Sequence, residues 1–291
     1  MILKRSEKTA VLLALASVLC WSGAAAAFKK ALASGSPWLV VFAASLISTV
    51  VFAVVLFVRK CPVRKADMIS GLFLGFLNPF LYYLVLLNAY DGLPAQIAMV
   101  VNYLWPVVLV LLSVPFLGQK LNLRGFTGIL LSFSGVLFLA FAGRNTFEIS
   151  TAPLLLAFAS TLIWAVYWVL NTRNSGKTAA VLFSSFVSGS VYLLVYGLVT
   201  GQKFSFSSAA SPWILYIGML EMGLTYIMWN TALKWTSSTA RVSGMIFLTP
   251  FLALVFIGII VGEKIAVSTV AGLLLVTAGI LLEKHSRKDS L

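Results

Sequence analysis

Charge is what this chain has least of. Of its 291 residues only 10% are Asp, Glu, Lys or Arg, while 60% are apolar and the mean hydropathy is +1.01. A water-soluble domain holds nearer one half apolar residues, so an ordinary soluble fold is excluded and a polytopic membrane protein is implied. Histidine occurs once, at His285 in the C-terminal tail, and cysteine twice, at Cys20 inside the first apolar run and Cys61 at a membrane boundary. So few groups cannot build a Cys/His metal set or a Ser-His-Asp triad in the membrane. The two cysteines are placed too far apart for a disulfide, which needs Cα atoms within about 7 Å, and neither stands in a thiol motif. The sequence calls for no metal and no cofactor, and an enzyme is not expected. A long basic stripe is missing too. The net charge of +13 comes from Lys and Arg in short loops between apolar runs, which reads as membrane topology and not as nucleic-acid binding.

What is present is a series of apolar runs. A helix needs about 20 apolar residues to cross the hydrocarbon, and ten such segments are expected at 9–28, 38–58, 67–89, 94–117, 123–142, 152–171, 179–200, 212–233, 240–261 and 266–283. The connections are short and leave no room for a soluble domain. The first run has features of a signal peptide, with Lys4, Arg5 and Lys8 before an apolar core and the small residues Gly23 to Ala27. It is expected to be retained, because it has a partner further along.

That partner belongs to an internal duplication. Ala14-x-Ala16-Ser17-x-Leu19-x-Trp21 is matched by Ala157-x-Ala159-Ser160-x-Leu162-x-Trp164 at an offset of 143. Gly75-x-Leu77-Asn78, Tyr83 and Ala89 match Gly218-x-Leu220-Glu221, Tyr226 and Ala232 at the same offset. One residue is then gained, and Pro106, Gly118, Lys120, Gly128 and Gly135 match Pro250, Gly262, Lys264, Gly272 and Gly279 at 144. The repeats are expected over 1–145 and 146–291, with five segments each.

Five is an odd number, so the second repeat must enter the membrane from the opposite side. The charges test this. With the N-terminus in the cytoplasm, Lys4, Arg5, Lys8, Arg59, Lys60, Arg64, Lys65, Lys120, Arg124, Arg173, Lys177, Lys234, Arg241, Lys284, Arg287 and Lys288 fall inside, and only Lys29, Lys30, Arg144, Lys203 and Lys264 fall outside. Sixteen against five is a positive-inside bias. It places both termini in the cytoplasm and puts the equivalent Lys120 and Lys264 on opposite faces. Inverted five-helix repeats are an architecture of secondary transporters, whose halves rock around a site near the midplane.

The residues also carry a family likeness. Two tandem five-helix units, each with Pro, then Gly-(Gln/Glu)-Lys, then a Gly-rich helix, resemble the EamA repeats of the drug/metabolite transporter superfamily. Within it, Asn102-Tyr103-Leu104-Trp105-Pro106 is similar to the motif of the bacterial aromatic amino acid exporters. The resemblance implies an all-helical carrier in a bacterial cytoplasmic membrane that exports aromatic amino acids or similar metabolites, its partners being a small-molecule substrate and the lipid bilayer. A monomer and a homodimer are both compatible with it. Another cargo on the same fold, such as a nucleoside or a cationic drug, is the first alternative. A membrane enzyme acting on lipid head groups, or a sensor, is the second.

Candidate site residues follow from depth and chemistry. Pro106 and Pro250 are expected mid-membrane as helix bends that free the carbonyls of Asn102 and Ile246. Trp21 and Trp164 are equivalent and each has a serine one turn earlier, at Ser17 and Ser160. Tyr167 and Trp168 extend the second stripe. Segment three adds Asn78 and Tyr82 at i, i+4, and segment four adds Asn102, Tyr103 and Trp105. A ring at mid-depth gains little from lipid and its polar atom wants a partner, so these residues are expected to line an interior that suits a planar, amphipathic solute. Glu221 is the acid placed deep in an apolar segment, nine residues into segment eight. Such a group is costly and functional by default, and three roles fit it: a proton relay, a partner for a substrate ammonium, or a protonated structural donor. Arg241 reads as an interfacial anchor. Lys120, Glu263 and Lys264 read as helix caps, and Gly128, Gly135, Gly272 and Gly279 as close-packing scaffold or dimer contacts.

Overall fold

The structure is a computed structural model that describes residues 6–117, 122–143, 149–172, 178–205, 207–237, 242 and 244–288. Gly118, Lys120 and Arg241, and the charges at Lys4, Arg5, Arg144, Arg173 and Lys177, lie outside the described residues. Among those residues there is helix and no strand. Each of the ten apolar segments forms helix over most of its described length, as α1 (Glu7–Ser22), α2 (Ala24–Leu32), α3 (Pro37–Val58), α4 (Lys65–Gly75), α5 (Tyr82–Gly92), α6 (Ala95–Asn102), α7 (Trp105–Leu117), α8 (Leu123–Gly143), α9 (Thr151–Thr172), α10 (Thr178–Val199), α11 (Ser211–Tyr216), α12 (Thr225–Trp235), α13 (Thr249–Phe256) and α14 (Val267–Lys288). Backbone in hydrocarbon must satisfy its own amides, and a helix does so within one segment. Six helical runs are long and apolar enough to cross a membrane, and shorter apolar helices cover Leu123–Leu139, Met245–Val261 and Val267–Leu282.

Local signals set the helix starts. Ser6 accepts the amide of Thr9 at 3.1 Å, Ser36 caps α3 ahead of Pro37, and the buried Asp67 accepts the amide of Arg64 at 2.9 Å. Several segments are broken inside. Segment one divides at Gly23, and segment four divides after Asn102, before α7. Pro106 and Pro250 therefore do not kink a continuous helix. Each is the second residue of a new one, after Trp105 and Thr249, where a missing N–H costs nothing because the first-turn amides have no intrahelical partner. Segments three and eight are both irregular, the one broken within Phe76–Leu81 and the other wound as a π turn over Ile217–Leu224. In the first, Asn78 has extended φ, ψ of −143° and 117°, followed by a cis bond to Pro79. That break takes Asn78 off the helical register with Tyr82 that the spacing suggests.

The chain packs as two compact units, Met1–Leu87 with Ser175–Val261, and Asn88–Asn174 with Gly262–Leu291. Each unit mixes segments from both sequence repeats. In the first, α4 lies on α10 because Gly71 and Gly75 let backbones approach Ser184 and Ser188, and Ser188 donates to the Gly71 carbonyl at 2.6 Å. Segments two and eight make the corresponding contact, with Ser48 donating to the Gly218 carbonyl at 2.7 Å. In the second unit α8 packs along α14. A Cβ on Gly135 would lie 2.7 Å from the Gly272 carbonyl, and one on Gly279 would collide with the Gly128 carbonyl. Those four glycines are thus scaffold contacts between segments five and ten, and this packing occupies the faces that a dimer would otherwise use.

Candidate functional site

Two polar and aromatic clusters form, one in each unit. The first is built on the π turn Ile217–Leu224, which carries the buried Glu221. Tyr83 from α5 donates to Glu221 Oε1 at 3.1 Å, and the hydroxyls of Tyr83 and Tyr226 lie 3.5 Å apart. Trp21 from α1 donates its indole N–H to the Glu221 backbone carbonyl at 3.3 Å and stands edge-on to Tyr226 and Trp229. A π turn leaves backbone carbonyls out of the ordinary ladder, and such turns recur at functional sites. Tyr216 donates to the Cys20 carbonyl at 2.6 Å beside the cluster. Glu221 Oε2 is enclosed and finds no hydrogen-bond partner among the described residues.

The second cluster sits where segment four breaks. Asn102 ends α6, and its Nδ2 donates to Ser160 Oγ on α9 at 2.9 Å. Ser160 in turn donates to the Ala157 carbonyl at 2.6 Å. Trp105, opening α7, lies nearly parallel to Trp168 with ring centroids 6.4 Å apart, the wide end of offset stacking. Trp164 stacks on Tyr167 at 5.1 Å and meets Trp168 edge-on at 5.7 Å. The indole N–H of Trp168 is buried with no acceptor among the described residues.

The structure brings Asn102, Trp105, Trp164, Tyr167 and Trp168 together, with Tyr103 half-buried at the same break. It brings Trp21 to Glu221. The equivalents Trp21 and Trp164 fall in different units, and Trp21 also packs on a core of Ala14, Val18, Trp229, Ala232 and Val242. Tyr82 is buried against Tyr83 at 4.8 Å. Asn78 is buried, and neither polar atom of its side chain is bonded among the described residues. Three residues escaped the sequence reading. Tyr83 and Tyr226 served there only as repeat markers, although a polar tip carried at the same offset in both repeats was a usable signal. Gln96 was missed altogether. It is fully buried, donates to Glu263 Oε2 at 3.2 Å and to the Lys264 carbonyl at 3.1 Å, and accepts from Ala266 N and Thr269 Oγ1. Glu263 is a cap, as expected, but of α6: its carboxylate accepts the amides of Ala95 at 2.7 Å and Gln96 at 3.3 Å.

The model of the EamA-like transporter family matches residues 8–141 and again 151–282. The chain belongs to the EamA-like transporter family. Among its relatives is the uncharacterized transporter YvbV of Bacillus subtilis, 28% identical over 291 residues, with 97% of this chain and 93% of that one covered. The aromatic amino acid exporters YddG of Salmonella typhimurium and Escherichia coli are 29% and 30% identical over 62% of this chain, and each match spans 64% of the exporter. A solved crystal structure superposes with a TM-score of 0.70 at 19% identity, covering 98% of this chain and 100% of the other, a likeness of fold alone. Two EamA repeats, several apolar spans and a transporter family make this a multi-pass membrane protein with a transport role and a small-molecule substrate.

Proposed function

We propose that this EamA-like transporter is a secondary carrier that exports aromatic amino acids or related amphipathic metabolites across the bacterial cytoplasmic membrane by alternating access. Its ten segments cross as two inverted five-helix repeats, with both termini in the cytoplasm. The observation that carries the cargo reading is the cluster of Asn102, Trp105, Trp164, Tyr167 and Trp168, in which four rings gather at a helix break beside a side-chain amide and an unpartnered indole N–H. A planar ring gains from stacking on such rings. The amide and the free N–H answer a carboxylate, whose burial without partners costs several kcal/mol. The similarity to two exporters of aromatic amino acids supports the same class.

Counterflow of labelled tryptophan into proteoliposomes tests this. Saturable uptake, competed by unlabelled phenylalanine and tyrosine and lowered at least tenfold by Trp105→Ala with folding retained, is expected. Linear flux that never saturates would sink the carrier reading, and competition by nucleosides or organic cations in place of aromatic amino acids would replace the cargo. Cysteine labelling at positions 203 and 288 in oriented cells tests the topology, with position 203 reacting from outside and position 288 only from inside.

A further inference from the structure

The aromatic cluster leaves one buried acid unused. Glu221 lies in the first unit, inside the π turn Ile217–Leu224, with Oε1 accepting from Tyr83 and Oε2 enclosed by protein and unbonded. Among the described residues no lysine or arginine pairs with it. The elements packed against the π turn are α1, α2, α3, α11 and α12. Their titratable side chains near the carboxyl are Cys20 from α1, Tyr216 from α11 and Tyr226 from α12, with Tyr83 and its neighbour Tyr82 from α5. Residues 37–58 of α3 carry none, and Lys29 and Lys30 stand in the last turn of α2. At the helix ends Glu7 is bonded to Thr236 and Ser237, and Lys234 to Thr178. Lys8 stands in the first turn of α1, and among the described residues no positive charge is paired with the carboxyl.

Two forms of the carboxyl compete for this enclosure. An ionised carboxylate with one bare oxygen and no counter-ion is costly to bury. A neutral carboxyl lacking one bond costs far less. An ammonium group or a water needs room beside Oε2, and Oε2 is enclosed. A proton needs none. We propose that Glu221 takes up and releases one proton in each transport cycle, coupling cargo export to an inward proton gradient. The proposal rests on the transport reading above and adds its driving ion.

The step is a simple ionisation: the Glu221 O–H bond breaks, its electrons stay as the carboxylate, and the proton goes to water when that state opens the carboxyl to one face. Protonation from the other face closes the cycle. In this proposal the π turn Ile217–Leu224 is the element that changes arrangement. A π turn holds one residue more than an α turn, so passing that residue along the segment turns the following side chains by about 100°. Such a shift moves Glu221 off Tyr83. Stoichiometry follows from the repeat, since the equivalent position holds Asn78, which cannot ionise. One proton per cycle is therefore assigned, not two.

The test has two arms that fail separately. In the first, infrared difference spectra of the purified protein, with no cargo, are titrated with pH. The carbonyl stretch of a buried neutral carboxyl is expected and is lost in Glu221→Gln, and its absence from the wild type, or its persistence in the variant, would overturn the proposal. In the second, proteoliposomes hold a pH-sensitive dye and the voltage is clamped with valinomycin and potassium. Protons are expected to move opposite to labelled tryptophan, and a gradient of about one pH unit should hold about a tenfold tryptophan gradient for one proton. Glu221→Gln should keep counterflow and lose that accumulation. Proton movement unchanged in the variant would overturn the proposal, as would a weaker apparent affinity for tryptophan with coupling intact, the mark of an ammonium partner. A neutral-carboxyl band without any tryptophan flux would reject the cargo and leave the proton site standing. If Glu221→Gln does not fold, Tyr83→Phe keeps the carboxyl and must move the pH at which the band titrates; an unmoved band would count against the proposal.

Discussion

The hydroxyls of Tyr83 and Tyr226 lie 3.5 Å apart, and the two residues are separated by 143 positions, the offset that relates their segments in the duplicated sequence. In the other unit Ser132 donates to the carbonyl of Val276, its own equivalent at an offset of 144, at 3.0 Å. Equivalent residues that meet are what a twofold relation produces, as in an isologous interface. The glycine contacts behave alike, because exchanging the repeats turns the pair Gly128 and Gly279 into Gly272 and Gly135. At its centre, however, the first pair is lopsided. Tyr83 bonds the Glu221 carboxyl, while the position equivalent to Glu221 holds Asn78. Tyr83→Phe is expected to cost about 1–3 kcal/mol, because it leaves Glu221 Oε1 buried without its donor. Tyr226→Phe leaves that bond in place and should cost less. Thermal unfolding in detergent, followed by tryptophan fluorescence, reads the difference, and equal losses would refute the asymmetry.

The glycine seam between α8 and α14 predicts a stability effect with no charge involved. A side chain at Gly135 or Gly279 meets backbone carbonyls, which cannot rotate away. Gly279→Val should therefore destabilise by at least the 1–3 kcal/mol typical of overpacking. Gly201 gives the contrast. Among the described residues nothing lies within 4 Å of its Cβ direction, and its φ of 65° opposes a side chain. Gly201→Ala should cost about 1 kcal/mol through backbone strain alone. A Gly279→Val protein with wild-type melting would show that α8 and α14 are not locked together.

Glu263 and Gln96 form a second test of stability. The carboxylate neutralises the amide end of α6, an interaction of about 0.5–2 kcal/mol for a capping side chain. Gln96 serves more partners, and Gln96→Leu strands the amide of Ala266, the hydroxyl of Thr269 and the carbonyl of Lys264. The expected order of loss is Gln96→Leu above Glu263→Ala, with Glu263→Gln mildest because one oxygen remains to accept an amide. Melting temperatures of the three variants check the order.

The helices themselves were legible because each segment is a long apolar run between charges, and in hydrocarbon such a run has only the helix available. The duplication was legible because Trp, Pro and Gly recur at a fixed spacing. Segment packing was not. Lipid and core are equally apolar, so the faces that meet leave little periodic signal. That is why the meeting of Tyr83 with Tyr226 escaped notice. The π turn Ile217–Leu224 was hidden for another reason, since one extra backbone residue changes no side chain. Pro106 marked the right place and the wrong geometry: α6 stops two residues short of α7, and the proline only opens the second helix. Gln96 sits among apolar neighbours as one polar residue whose partners lie more than 160 positions away, beyond what local pattern carries.

Trp168 separates a binding role from a packing role. Its ring meets Trp105, Trp164 and Tyr167, while its N–H is buried without an acceptor among the described residues. Trp168→Phe keeps most of the ring and removes the unbonded donor. If the residue only packs, deleting an orphaned polar atom relieves a desolvation cost of about 1–3 kcal/mol, so the variant melts higher and transports as before. If the N–H is held for cargo, the same variant melts no lower but loses a hydrogen bond that forms only with substrate bound. A bond to a charged carboxylate is worth about 1.5–3 kcal/mol, so the half-saturating tryptophan concentration should rise about tenfold or more. The proposed function requires the second pattern: thermal stability kept or gained, with the apparent affinity lost. Measured together on one preparation, a raised melting temperature with unchanged counterflow would take Trp168 out of the site and leave Asn102 as the polar group of that cluster facing the cargo.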